Sequence, residues 1–136
     1  MSETKKVLVV EDDDVERELM QMTLERQGYI VTAAEDGVRG YEMAVESRPD
    51  LIITDVSMPA ADGVHLVRRV RDTDSIAATP ILIMTGYGTG SATFTLCQGA
   101  DAYEPKPVDP VRLLATVRRL LDQESTTAQT GSHEAR

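Results

Sequence analysis

Four carboxylates in a row, Glu11, Asp12, Asp13 and Asp14, follow directly on the apolar run VLVV at residues 7–10. Two like charges about 4 Å apart repel by roughly 4 kcal/mol at an effective dielectric near 20. A helix N-terminus favours acids, but one or two satisfy a cap, and a divalent cation accounts for the rest. Further along, single polar residues again end apolar runs: Asp55 follows LIIT, Thr85 closes ILIMT, and Lys106 follows DAYEP. If these run ends meet in space, the carboxylates gather to hold a metal.

Meeting in space requires elements that put every run end on one edge. KVLVV (6–10), YIVTAA (29–34), LIIT (51–54), ILIMT (81–85) and the weaker DAYEP (101–105) are short enough and apolar enough for strands buried on both faces. Helical stretches alternate with them. The first starts near Asp14, with Val15, Leu19 and Met22 on one face, and stops at Gly28. A second opens at Asp36-Gly37 and ends before Pro49, and a third runs from Gly63 to Thr73 with Val64, Val67 and Val70 along a stripe. Ser91 to Gln98 makes a poor fourth, burdened by Thr93, Thr95 and Cys97. The fifth begins at Pro110, a suitable first position, and carries Leu114, Val117 and Leu121. From Glu124 the apolar periodicity is lost, which predicts a domain over 1–123 and a disordered C-terminal tail over 124–136. Alternating strands and helices imply an α/β, doubly wound, five-stranded parallel sheet with five helices, flavodoxin-like. Such sheets work beyond the carboxyl ends of their strands. With strand order 2-1-3-4-5, strands one and three are neighbours, and Glu11, Asp12 and Asp55 converge.

At 136 residues the chain is long enough for one domain with its own core. A net charge of −9 argues against a nucleic-acid-binding surface and favours cations or basic partners. Cys97 is the single cysteine, so no internal disulfide forms. The apolar run 7–10 is too short for a signal peptide or a membrane span, and the chain reads as cytoplasmic.

The motifs VLVVEDD, LIITDVSMPAADG, ILIMTG and GADAYEPKP, in this order and covering roughly residues 5 to 122, resemble a two-component response-regulator receiver domain of the chemotaxis-regulator kind. The resemblance implies a phosphoacceptor, not a turnover enzyme. Asp55 would take a phosphoryl group from a phosphohistidine of a sensor histidine kinase or phosphotransfer protein. Glu11 and Asp12 match the acidic pair that holds Mg²⁺, Asp12 directly and Glu11 through water, with Asp55 and the backbone carbonyl of Ser57 completing the set. Thr85 matches the hydroxyl that moves to the phosphoryl oxygen, Lys106 the lysine that pairs with it, and Tyr103 the rotating aromatic switch. Lys106-Pro107 matches a peptide bond the family holds cis. Ser57 and Tyr87 occupy rate-tuning positions, Tyr87 as a bulky shield that slows hydrolysis. Signalling would then leave through the face of the fourth helix, fifth strand and fifth helix, including Arg112, Arg118 and Arg119, towards a downstream protein. A phosphorylation-dependent homodimer is left open.

Phosphoryl transfer suits such a residue set because positioning and charge neutralisation do most of the work, and a carboxylate needs no base to act as nucleophile. One enzyme alternative shares the ingredients: a haloacid-dehalogenase-like phosphatase, with Asp12 as nucleophile and Asp14 two residues on. It lacks a substrate cap and a later acidic pair in this sequence. A flavin carrier would want small hydroxyl residues where strand one ends in carboxylates. The Gly86–Gly90 loop tempts a dinucleotide reading but meets Ser91 where a third glycine belongs. Asp13 and Asp14 read as helix-start charges, Asp62-Gly63 as a turn, His65 and His133 as surface residues, and Cys97 as a small core residue.

Overall fold

The strand sequences bury both faces. β1 (Lys6–Val10), β2 (Ile30–Ala34), β3 (Leu51–Asp55), β4 (Ile81–Thr85) and β5 (Ala102–Pro105) form one parallel sheet in the order β2-β1-β3-β4-β5. The computed structural model describes residues 4–56, 62–86 and 99–133, with only the backbone path given for Asp62 and 123–133. The described helices are α1 (Asp14–Glu25), α2 (Gly37–Ser47), α3 (Asp62–Arg71) and α4 (Pro110–His133). The stretch Ser91–Gln98, expected to be helical, lies outside the described residues, as does Cys97.

The period-two alternation of strands divides the core cleanly. Val7, Val9, Leu51, Ile53, Leu82 and Met84 point to one face, where Met20 and Leu24 of α1 and Leu113 and Val117 of α4 cover them. Leu8, Val10, Ile52, Ile81 and Ile83 point to the other, beneath Ala44 of α2 and Leu66, Val67 and Val70 of α3. β3 and β4, central in the sheet, are buried along their whole length. Their carboxyl ends are therefore among the most firmly held points of the molecule.

One expectation differs from the structure. The face of α1 formed by Val15, Leu19 and Met22 is exposed, and Met20 and Leu24 face the sheet instead. The sequence offers two apolar stripes on this helix, and packing of Met20 and Leu24 on strands distant in sequence chooses between them. The Arg17 guanidinium donates to the carbonyl of Glu11 (2.8 Å) at the helix's first turn. At the other end of the chain, α4 runs from Pro110 to His133. Adding residues to a helix already nucleated on a buried stripe costs little. Gly28, expected to close the first helix, has φ +94° just past its end, a conformation glycine adopts without strain.

Candidate functional site

The sheet register brings the site together. Val10 is level with Thr54, so the next residues, Glu11 and Asp55, emerge side by side from β1 and β3. Asp55 is level with Met84, which puts Thr85 one step beyond on β4. The amide of Lys106 donates to the carbonyl of Thr85 (2.8 Å), extending the β4–β5 pairing past the strand and setting the lysine beside the other two. The Lys106-Pro107 peptide bond is cis. One carboxylate oxygen each of Glu11, Asp12 and Asp55 lie within 4.8 Å of one another.

Lys106 is the counter-charge. Its Nζ donates to Asp55 Oδ2 at 2.7 Å and lies 2.8 Å from Glu16 Oε1 and 3.0 Å from Glu11 Oε1. Burial works to lower the pKa of this ammonium. The hydrogen bond to Asp55 and the pairs with Glu16 and Glu11 outweigh it, and the lysine stays charged well above its usual range. Glu11 meets the opposite balance. Fully buried, its carboxyl is pushed up to about 7, chiefly by desolvation with the Asp55 charge adding, against the Asp13 amide and Lys106, which lower it. Asp13 N–H donates to Glu11 Oε2 at 3.1 Å, while Glu11 Oε1 has no hydrogen-bond partner among the described residues beyond its ion pair. Three clustered carboxylates offer oxygen donors of the kind a hard divalent cation takes.

Several expected residues are therefore assembled at one strand edge: Glu11, Asp12, Asp55, Thr85 and Lys106. Asp55 is buried, Asp12 exposed. Thr85 is buried, and its hydroxyl has no hydrogen-bond partner among the described residues. Tyr103 stands outward and is 38% exposed. Ser57 and Tyr87 lie outside the described residues. Asp13 caps α1 by accepting from the Glu16 amide (2.9 Å) and Asp14 pairs with Arg17, as helix-start charges do. His65 is exposed.

Two residues escaped the sequence reading. Glu16, whose spacing from Asp13 marks a helix start and nothing more, reaches Lys106. Gly63 looked like a turn, yet a Cβ there would sit 2.2 Å from the Asp55 carbonyl oxygen and 2.7 Å from Val56 Cα. Only glycine lets α3 start this close to the strand end that carries Asp55.

Comparisons with known proteins identify the family. The family model described as response regulator receiver domain matches residues 7–118. The transcriptional regulatory protein CseB of Streptomyces avermitilis is 42% identical over 122 residues, which are 89% of this chain and 51% of that protein. The response regulator MprA of Mycobacterium ulcerans is 41% identical over 117 residues, 85% of this chain and 50% of that protein. The chain thus spans about half the length of these curated relatives. Among solved structures, the chemotaxis protein CheY4 of Vibrio cholerae superposes with a TM-score of 0.81 at 34% identity, covering 87% of this chain and 99% of that one. The receiver domain of the sensor histidine kinase PA1611 of Pseudomonas aeruginosa, described with a magnesium ion coordinated in its active-site cleft, gives 0.79 at 26% identity over 88% of this chain and 99% of that one. A parallel sheet in the order β2-β1-β3-β4-β5, an acidic cluster at its carboxyl edge and these matches lead to one conclusion: the chain belongs to the response regulator receiver domain family of two-component signalling.

Proposed function

We propose that Asp55 is the phosphoacceptor, that Glu11, Asp12, Asp55 and the Ser57 carbonyl hold Mg²⁺, and that a sensor histidine kinase or phosphotransfer protein supplies the phosphoryl group. The observation that carries this reading is the buried Asp55 carboxylate, clustered with Glu11 and Asp12 and 2.7 Å from the Lys106 ammonium. An Asp55 oxygen attacks the phosphorus of the donor phosphohistidine; the P–O bond forms as the P–N bond breaks, and the electron pair stays on the imidazole nitrogen, which takes a proton. Bound Mg²⁺ would neutralise charge on the nucleophile and the phosphoryl oxygens. β3 holds the nucleophile by buried packing, and Lys106 offers a mobile point charge from the β5 side. The product is an acyl phosphate with strong acceptor oxygens.

The Thr85 hydroxyl is poised to donate to one of those oxygens, vacating space into which Tyr103 turns, a local charge event that biases a two-state element. The output surface is the face of β5 and α4, where Tyr103, Arg112, Arg118 and Arg119 are exposed. It passes the signal by protein contact. The chain is a phosphoacceptor rather than a turnover enzyme. Among the described residues no helix is long and apolar enough to cross a membrane.

Acetyl phosphate with Mg²⁺ should add one phosphoryl group per chain, read by intact-protein mass spectrometry, and Asp55→Asn should abolish it. Full labelling of Asp55→Asn would refute the assignment.

A further inference from the structure

Glu16 occupies the third position of α1 after the N-cap Asp13, where a glutamate ordinarily folds back to bond the N-cap amide. That amide is already taken: Asp13 N–H donates to Glu11 Oε2 at 3.1 Å. The Glu16 carboxylate turns instead to the lysine, with Oε1 buried and 2.8 Å from Lys106 Nζ. Three carboxylates surround this ammonium, Asp55 by a hydrogen bond and Glu16 and Glu11 as ion pairs. Of the three, Glu16 alone sits on the rim, its side chain 38% exposed against 3% for Asp55 and 0% for Glu11.

Resting on the receiver reading above, we propose that Glu16 is a positioning residue that latches Lys106 in the unphosphorylated state, and so restrains phosphorylation of Asp55. A phosphoryl oxygen arriving on Asp55 needs a proton of the Lys106 ammonium. Asp55 itself carries the incoming group, and Glu11 is a fully buried member of the carboxylate cluster. Glu16 is the partner that leaves, swinging to solvent about its own side-chain bonds. Until it does, its negative charge also faces the incoming phosphoryl group. No covalent bond of Glu16 changes; it acts through where it holds the lysine.

The test compares Glu16→Gln, which keeps size and removes charge, with Asp14→Asn on the same helix turn, whose carboxylate pairs with Arg17 and not with Lys106. Glu16→Gln should raise the second-order rate of labelling by acetyl phosphate about 3- to 10-fold, Asp14→Asn should change it less than twofold, and the Glu16→Gln gain should vanish in a Lys106→Met background. Side-chain ammonium NMR of the metal-free protein reads the contact without any phosphorylation: Glu16→Gln should move the Lys106 Nζ resonance and Asp14→Asn should leave it. An unmoved resonance, a rate unchanged or lowered by Glu16→Gln, or a gain that persists without Lys106 would each overturn the latch. Failure of the wild-type protein to label at all would count against the receiver reading, and the resonance would still decide the contact.

Discussion

Glu11 and Lys106 show how one small site holds charges of both signs in unusual states. Lys106 has three carboxylates to answer its charge, whereas Glu11 is wholly buried and its carboxyl rises from 4.5 to about 7. The folded state therefore holds the Glu11 proton more tightly than the unfolded chain between those values. By linkage, stability of the metal-free protein is unaffected by this group below pH 4.5, falls as pH rises from there to 7, and levels off beyond. The loss is on the order of 3 kcal/mol. Urea denaturation of metal-free protein between pH 5 and 8 should show the midpoint falling with pH, and Glu11→Gln should flatten the slope. An equal slope in Glu11→Gln would place the effect elsewhere. A divalent cation, by favouring the ionised carboxylate, should remove the penalty.

At the scale of the element, α1 carries two apolar stripes, and its rotation decides which one supports the fold. Leu24 is fully buried against the sheet, while Leu19 is 44% exposed. Leu24→Ala should cost about 2–5 kcal/mol of unfolding free energy, whereas Leu19→Ala should stay within about 0.5 kcal/mol. Chemical denaturation of the two variants checks this, and similar losses would mean the helix sits differently. The same rotation delivers Glu16 to Lys106 and Arg17 to the Glu11 carbonyl, so the helix that buries Leu24 also serves the site.

Across the whole molecule, a firm sheet edge displays charges drawn from three strand ends, those of β1, β3 and β5. With Glu11, Asp12 and Asp55 clustered and a net charge of −9, cation binding should stabilise the fold as a unit. At a hundredfold excess over its Kd, Mg²⁺ should add about 2.7 kcal/mol, which raises Tm by several degrees for a domain of this size. Calorimetry with Mg²⁺ and then with chelator reads the shift. Its persistence in a Glu11→Gln, Asp12→Asn double variant would place the ion away from this cluster.

Much of this was legible in the chain alone. Short runs such as LIIT and ILIMT suit strands buried on two faces, and their alternation with helical stretches implies a parallel sheet whose carboxyl ends carry Glu11, Asp12, Asp55, Thr85 and Lys106. Hydrophobic periodicity and turn chemistry are local properties, so they survive in one dimension. The Val15 stripe stands out in the sequence because two stripes satisfy the same periodicity, and the choice lies with the strands that cover Met20 and Leu24. Gly63 reads as part of a turn and Glu16 draws no notice, because nothing in their neighbourhood along the chain mentions the Asp55 carbonyl or the Lys106 ammonium. Contacts between residues far apart in sequence exist only once the sheet closes. They decide which helix face is inside, which glycine cannot be replaced, and which carboxylate holds the lysine.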